Sequence, residues 1–369
     1  MDELKQFDKT YLTNDGPSAL VIRQHLMPVE GEDGVLFPAT YAEIGYNIDI
    51  DDNGKNVVLV DSVGSQANRI EPIFLENEYK LLIPQIVIKT GAKEVSILEA
   101  GHRAGDALLR CTSLQKDLQN AFKSSQNGDA EPLAKIAPTS LVFGVWDSRD
   151  TQEKRPRLIA STIRAFNVRK LTRSAVYTPP VDYSELDVFT EEDKQKAEGD
   201  SKNPLSKRGF VNALANSSHG GVIAEGGILR NSTLGLAALR LLKVGKDANK
   251  TLALQRYILG LTLVAFTKNP SGYLRQGCLL VLNPDKVGEN ECVEVWPTGK
   301  RTPCLITHEA ALKYAIAAAK EFGVGANKTV DFEPKQARED VKRGVKSKKK
   351  KGDKKSVETV VVPEDSNDE

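Results

Sequence analysis

The stretch NVVLVDSVGSQANRIE (residues 56–71) joins a strand-like run to a polar segment, and this mixture recurs along the chain. Its first six residues, 56–61, are mostly β-branched or aliphatic, which is typical of a buried strand. The polar part then carries Gln66, Asn68 and Arg69, whose side chains can donate hydrogen bonds to phosphate or ribose. Polar residues at this point can instead cap a helix, and composition does not separate the two interpretations.

Strand-like and helical runs follow one another irregularly on both sides of this stretch. Strand propensity is high at 19–26, 56–61, 80–89, 140–146, 222–229 and 277–283. Helical periodicity is present at 98–122, 233–242, 250–267 and 307–322. We expect Thr307 to cap the last helix and Gly323 to end it. Because the order lacks a strict βαβ alternation, we predict an α+β fold in which helices cover a sheet.

The overall charge of the chain excludes one way of binding a partner. The 369 residues include 51 Lys and Arg and 50 Asp and Glu, so the formal net charge is +1. This balance excludes binding to nucleic acid or to an anionic membrane by bulk charge. The sequence opens with neither a basic leader nor an apolar run, and its most apolar window, 257–266, is too short for a membrane span. We therefore expect a cytoplasmic protein with reduced cysteines and no membrane partner.

Local charge is much less even than the total. Residues 149–173 carry eight basic and two acidic residues, interleaved with apolar ones, so we expect this stretch to be folded. Fixed cations along folded structure are what a phosphate backbone requires, which makes Arg164 and Arg169 candidate contacts. The same arginines can equally pair with acids elsewhere on a solvated face.

Two segments lack the apolar residues that a core needs. The segment 178–208 is acidic over 182–200, with eight acids and two bases there, and the segment 334–369 is first basic, with lysines at 348–351, and then acidic. We predict one folded body over 1–333 with a mobile insertion at 178–208. The tail over 334–369 is predicted to be disordered.

Catalysis is the main alternative to binding. His102 and Asp106 would share one face at the start of the predicted helix 98–122, as a metal-dependent nuclease or hydrolase could require. With Arg103 nearby, a surface ion network explains the same residues. We favour that network and predict no catalytic residue.

Cofactor and metal sites are weakly supported by the sequence. No Gly-Lys-Ser/Thr follows the glycine pairs 220–221 and 226–227, so a phosphate-binding loop is not predicted. A zinc site is conceivable, but its thiolates lack the close pairing of such sites; its ligands would be Cys278, Cys292, Cys304 and His308. We expect buried structural cysteines, no metal and no cofactor.

Eight motifs, taken in order, resemble one protein family. They are FPATY (37–41), DSVGSQANRIE (61–71), EAGHRAGDALLR (99–110), SLVFGVWDS (140–148), RLIASTIRAFNV (157–168), HGGVIAEGGILRNSTLGLAALR (219–240), YILGLTLVAFT (257–267) and LRQGCLLV (274–281). Over about residues 19–322 they resemble the backbone RAMP subunit, the seventh-type Cas protein, of the type I-G (formerly I-U) CRISPR effector complex, Cascade. The segment 178–208 and the residues after 330 lie outside this resemblance.

The resemblance implies a fold and a function. The implied fold is a modified RRM-like, ferredoxin-type sheet elaborated into a hand with palm, fingers and thumb. The implied function is that of a scaffold, not an enzyme, in an antiviral type I surveillance complex, with cleavage left to partner proteins. Several copies would stack along one CRISPR guide RNA and hold it by its backbone, leaving the bases free to pair with target DNA. Further implied partners are the large subunit and the RNA-processing or cap subunit.

Matching the motifs to RNA chemistry gives nine candidate RNA-binding residues. They are Gln66, Asn68, Arg69, His102, Arg103, Arg164, Arg169, Arg230 and Arg275. Arginine contacts phosphates bidentately and stacks on bases, whereas Asn and Gln reach phosphate or 2′-hydroxyl groups. Since stacked copies would share one polyanion, each copy needs only a modest basic surface.

Overall fold

The computed structural model of the chain describes residues 2–268 and 271–342. The strands in these ranges are β1 (Ala19–Pro28), β2 (Thr40–Tyr41), β3 (Gly45–Tyr46), β4 (Ile48–Ile50), β5 (Asn56–Asp61), β6 (Ile86–Lys89), β7 (Glu94–Ser96), β8 (Val145–Trp146), β9 (Lys154–Arg155), β10 (Ile159–Phe166), β11 (Val168–Tyr177), β12 (Ala213–Ala224), β13 (Ile228–Gly235), β14 (Tyr273–Arg275), β15 (Cys278–Leu282), β16 (Glu291–Val295), β17 (Arg301–Pro303) and β18 (Lys328–Asp331). The α-helices are α1 (Asp2–Tyr11), α2 (Val63–Ile70), α3 (Ala107–Arg110), α4 (Gln115–Gln126), α5 (Glu131–Ile136), α6 (Thr139–Val142), α7 (Glu191–Ala197), α8 (Pro204–Lys207), α9 (Leu236–Leu239), α10 (Ala248–Thr267) and α11 (His308–Phe322). The mixed α+β class predicted from the sequence is confirmed.

A nine-stranded antiparallel sheet that curls into a half-barrel organises the chain. Its main path runs β14-β15-β1-β13-β10-β5-β4, and β16 and β17 branch off at β1. β1 serves both branches because its residues 19–23 pair with β16 and its residues 26–28 pair with β15. β13 and β10 are interior strands, hydrogen-bonded to a neighbour on each side, and such strands are among the last parts of a protein to open.

The ladder between β10 and β13 continues into a two-stranded arm formed by β11 and β12. The change from ladder to arm occurs at Asn167, which has a left-handed φ of 45°, and at the opposing glycines 226–227. The tip of the arm leads into the insertion 178–208, which contains α7 and α8. Its mobility stays a prediction, as does the division of the chain into a body and a tail.

Two apolar clusters pack on one face of the sheet and leave a polar strip between them. Ile228, Arg230, Ser232 and Leu234 alternate along β13 and are all buried, so they face the same side. Leu234 belongs to the larger cluster, which includes α10 and α11, and Ile228 belongs to the smaller cluster with β5 and β12. Arg230 and Ser232 therefore lie between the two cores, where the sheet meets α2.

Close packing of α10 against α11 fills the larger cluster. The ring of Tyr257 stacks on Phe322 with centroids 4.5 Å apart. A Cβ atom at Gly260 would lie 2.7 Å from the Cα of Ala315, so the approach of the two helices requires glycine there. None of the described helices, α10 included, has the length and apolar character needed to cross a membrane.

Several expected elements are confirmed. The strand expected at 56–61 coincides with β5, and the helix expected at 250–267 lies within α10. Thr307 caps α11 by accepting a hydrogen bond from the Ala310 N–H at 3.2 Å. Gly323 ends that helix in the left-handed region at a φ of 72°.

Other expectations are wrong in an instructive way. The single helix expected at 98–122 is instead two 3₁₀ turns followed by α3 and α4, because Arg103 takes a left-handed φ of 51° and Asp106 starts a new helix. The strand expected at 140–146 begins inside α6 and is extended only at 145–146 (β8), and only 86–89 of the strand expected at 80–89 is extended. The helix expected at 233–242 shrinks to α9 because β13 continues to Gly235.

The beginning of the predicted tail contacts the body. Residues 334–342 are helical, and Arg110 donates to Asp340 at 2.8 Å. The Gln336 side chain also donates to the backbone carbonyl of Arg110 at 3.1 Å. The remainder of the predicted tail, 343–369, lies outside the described residues.

Candidate nucleic-acid interface

The end of β5 and the start of α2 build the centre of the candidate site. Asp61, the last residue of β5, has no exposed surface. Ser62 then caps α2, its hydroxyl accepting from the Ser65 N–H at 3.2 Å. The capping that the sequence left open is therefore performed by Ser62, and Gln66, Asn68 and Arg69 are free of that task.

The Asp61 carboxylate ties three elements together. It accepts hydrogen bonds from Gln66 Nε2 at 2.7 Å and from Arg69 Nε at 3.1 Å, both on α2. Arg275 of β14 donates to it through Nη2 at 2.6 Å, and Ser65 donates through Oγ at 2.9 Å. Charge-assisted bonds of this kind fix the direction of both guanidinium groups. Gln66, Arg69 and Arg275, three predicted site residues, thus share one buried anchor.

Arg230 lies in a row across the sheet beside this anchor. The strand register places it opposite Gln24 of β1 on one side and Ile163 of β10 on the other. Its side chain is buried, with only 6% of the residue exposed, and its Nε has no hydrogen-bond partner among the described residues. Burial lowers the pKa of Arg230 to about 10, so the group still carries a positive charge at neutral pH.

An open cleft of about 660 Å³ lies above this row. Its lining comes from β1, α2, β10, β13, β14 and β15 together with residues 271–272. The polar lining side chains are those of Gln24, Gln66, Asn68, Arg69, Arg230, Ser271 and Tyr273. The aliphatic ones are Leu26, Ile70, Ile163, Leu274, Leu280, Val281 and Leu282. The described lining contains two cations and no acid, which suits an anionic ligand.

Arg103 supports the cleft from behind rather than lining it. It lies 2.6 Å from Glu71 through Nε, over the Phe143 ring at 5.3 Å, and donates to Asn68 Oδ1 at 3.2 Å. Burial raises the pKa of Glu71 to about 7, against the opposing effect of the Arg103 charge, and burial likewise lowers the pKa of Arg103. Arg103 therefore positions Asn68, and direct contact with a ligand would require it to leave this buried pair.

Three predicted residues do not join the cleft. His102 is exposed, and its backbone N–H donates to Asp106, whose carboxylate also caps α3. Arg164 follows Ile163 on β10 and so points to the opposite face of the sheet, where it donates to Thr162 at 2.8 Å. Arg169 lies on β11 and pairs with Glu225 at 2.9 Å on the surface. The basic stretch 149–173 is thus divided between surfaces.

The zinc arrangement is not assembled. Cys292 and Cys304 are neighbours, since the Cys304 N–H donates to the Cys292 carbonyl at 2.9 Å. His308 instead contacts Tyr79 at 2.8 Å and Thr267 at 2.9 Å, and Cys278 lies in the smaller apolar cluster. In the portion of the chain that the structure describes, no three His, Cys, Asp or Glu side chains group as metal ligands.

Comparison with known proteins bears on the part of the chain that holds Asp61 and α2. Residues 20–170 match the family model described as CRISPR-associated protein GSU0053 (Cas_GSU0053). This part of the chain is therefore similar to a CRISPR-associated protein family. No curated protein matches the chain.

The Cas_GSU0053 match covers one side of the cleft. Gln24, Gln66, Asn68 and Arg69 lie inside the matched residues, whereas Arg230 and the whole β14–β15 wall lie beyond them. The cleft is thus completed by a later part of the chain that folds back onto the matched part.

Sequence reasoning missed three residues of this site. Asp61 is the first of them, although an acid at the end of an apolar strand is a recognisable signal. Gln24 interrupts the apolar strand β1, and its role became visible only through the register with Arg230. Tyr273, which is 58% exposed at the rim, carried no signal beyond its aromatic ring.

Proposed function

We propose that this chain is a guide RNA-binding backbone subunit of a type I CRISPR surveillance complex and that it does not cleave nucleic acid. The observation that carries the proposal is the cleft, in which Arg69 is held by Asp61 and Arg230 lies between two cores. Donors fixed before binding lose little entropy on binding, and cations beside amides fit phosphate and ribose. The CRISPR-associated family supports nucleic acid as the ligand.

The proposed architecture follows from the position of the cleft. We assign the RRM-like palm to the central strands β5, β10, β13 and β1, with α2 at its edge. The arm of β11 and β12 and its insertion then project from the palm. A nearly neutral chain of net charge +1 can be stacked repeatedly on one RNA without strong repulsion between copies.

Replacing Arg69 tests the cleft directly. In the Arg69→Gln variant we expect roughly tenfold weaker binding to a single-stranded RNA, and a salt dependence shallower by about one unit, because one phosphate contact is lost. Arg301→Gln is the matched control: it also removes one arginine paired with an acid, Glu291 at 3.2 Å, but on β17, outside the cleft lining. Equal binding and equal slopes for Arg69→Gln and Arg301→Gln would contradict the proposal.

Binding through the lysine-containing tail alone is a different explanation for any RNA affinity. A chain ending at Lys342 keeps the helical contact with Arg110 and removes residues 343–369. The proposal requires that this shortened chain retain RNA binding that still depends on Arg69. Complete loss of binding would transfer the function to the tail.

Cleavage of the bound RNA would favour the metal-dependent nuclease instead. Asp106 is already used as the cap of α3, so His102 is the residue whose replacement tests this cleanly. We expect RNA to remain intact with Mg²⁺, Mn²⁺ or Zn²⁺ present. Cleavage that His102→Ala abolishes would overturn the non-catalytic assignment.

A further inference from the structure

The floor of the cleft holds a cation that the described part of the protein leaves incompletely satisfied. Arg230 is 6% exposed, its Nε lacks a hydrogen-bond partner among the described residues, and it remains charged at neutral pH. A buried charge is costly unless it is paired and hydrogen-bonded. The free protein therefore gains stability from any anionic group that can reach Arg230.

The walls of the cleft favour a ligand with apolar groups in addition to an anionic group. Leu26, Ile70, Ile163, Leu280 and Leu282 present aliphatic surface next to the two arginines. A phosphate backbone supplies anions but no aliphatic groups. A peptide in which branched aliphatic side chains stand within two or three residues of carboxylates supplies both.

The chain itself contains such a peptide. Residues 356–369 read SVETVVVPEDSNDE, with three consecutive valines at 360–362, then Pro363, and then Glu364 and Asp365. The segment carries five acids and no base, in contrast to the two cations of the cleft lining. It lies outside the described residues.

The connection is long enough for this segment to reach the cleft. Asp340 is tied to Arg110, and Arg103, seven positions earlier, contacts Asn68 at the cleft. Seven residues span at most about 25 Å, and two arginine side chains add roughly 15 Å, so Asp340 lies within about 40 Å of Asn68. The 17 residues 343–359 span up to about 60 Å when extended.

We propose that residues 356–369 bind in the cleft of the RNA-free protein and that RNA must displace them. Val360, Val361 and Val362 cover the aliphatic wall, and the carboxylates of Glu364 and Asp365 approach Arg230 and Arg69. The displacement step rests on the proposed function, whereas the docking itself depends only on the cleft and the segment. The subunit is thereby shielded from weak anionic ligands until a longer RNA competes.

A weak contact is sufficient because the segment is tethered. A short flexible tether gives an effective concentration of about 1 mM. If the segment binds with a dissociation constant of about 0.5 mM or tighter, it lowers the apparent affinity for RNA about threefold or more.

The decisive variant changes no charge. In the full chain, Val360→Ser, Val361→Ser and Val362→Ser together should strengthen binding of a short single-stranded RNA about threefold or more, whereas a bulk-charge effect of the tail predicts no change. The matched control is Asp368→Asn with Glu369→Gln, which removes two charges beyond the motif. Its gain in affinity should be smaller than that of the valine variant.

Hydrogen–deuterium exchange of the RNA-free proteins reports the docking independently of RNA. Residues 271–282 should exchange faster in the valine variant than in the unchanged chain, with α11 unaffected. Equal exchange there overturns the proposal, even if RNA affinities differ. Equal exchange with equal RNA affinities leaves the RNA-binding function standing. If the valine variant exchanges faster but neither protein binds RNA, docking is upheld and the RNA-binding function is refuted. If the protection of residues 271–282 depends on protein concentration, the segment docks between chains and not within one chain, which overturns the proposal.

Discussion

Arg103 shows how one residue can shape a site without touching it. Its left-handed φ of 51° turns the chain so that the guanidinium enters the core beside Glu71 and Phe143. Such a conformation costs a non-glycine residue of order 1–3 kcal/mol and persists only when its surroundings hold it. The Glu71 pair and the bond to Asn68 supply that hold. The motif around 99–110 therefore acts on the cleft through Asn68.

The pair of Glu71 and Arg103 predicts a pH effect on stability. Burial raises the pKa of Glu71 from 4.5 to about 7 in the folded state, so between these values the folded chain binds a proton that the unfolded chain has released. Stability from this group is therefore greatest below pH 4.5 and is lost as the pH rises to about 7. We expect urea unfolding at pH 5 and pH 7.5 to show this loss, on the order of 1–3 kcal/mol, in the unchanged protein but not in Glu71→Gln.

Glu225→Gln provides the comparison for that measurement. Its partner Arg169 is more than half exposed, so the pair adds little to stability and its removal should leave the pH profile as it was. Identical pH profiles for the unchanged chain and Glu71→Gln would show that Glu71 has an ordinary pKa in the folded state.

The residues of the site were predictable in part. The motif sequence nominated Gln66, Arg69 and Arg275 by their chemistry, but their common partner depends on a contact between positions 214 residues apart. Register between strands is likewise invisible in a single sequence, so the pairing of Gln24 with Arg230 could not be read. Arg164 and Ile163 lie on opposite faces of β10, and the sequence does not show which of the two faces carries the cleft.

The sequence predicted best those helices that combine a regular spacing of apolar residues with clear capping residues. α10 and α11 are long, and α11 has both Thr307 and Gly323 at its ends. The region 98–122 kept helical spacing of its apolar residues, yet short turns can maintain that spacing while the backbone changes direction at Arg103. Tertiary contacts, and not local propensity, decided those turns.

The contact between α10 and α11 should tolerate no added methyl group at its closest point. Gly260→Ala places a Cβ 2.7 Å from the Cα of Ala315, and the helices must separate to accept it. We expect a net loss of about 1–2 kcal/mol in the free energy of unfolding, although alanine itself favours a helix by up to about 1 kcal/mol.

Urea denaturation of Gly260→Ala measures that loss, and Gly288→Ala is its control. No atom lies within 4 Å of a Cβ at Gly288, and its φ is not in the left-handed region. An unchanged midpoint for Gly260→Ala would mean that α10 and α11 are less tightly packed than their separation indicates.

At the scale of the whole molecule, an open sheet with free edge strands and the arm of β11 and β12 suit a subunit that contacts copies of itself. Under the proposed function, several copies share one RNA, so occupancy should follow the length of the RNA. We expect mass photometry of complexes with single-stranded RNA to show species whose masses differ by 40.4 kDa, the mass of one copy. The number of copies per RNA should double when the RNA is doubled in length.

The chain without RNA is the reference for these masses and should not form the same ladder of species. One copy per RNA at every length would argue against stacking while leaving RNA binding itself intact.

The position of Arg230 on an interior strand has a consequence for how a guide would be accommodated. A loop can rearrange around its ligand, but β13 is bonded on both sides and its neighbours on that face belong to two cores. The backbone around Arg230 would therefore keep its conformation when a guide binds, and the guide RNA would have to change its own conformation to fit. An RNA that is folded into a hairpin would have to unfold before it could bind. The subunit would therefore discriminate between RNAs by their flexibility as well as by their charge.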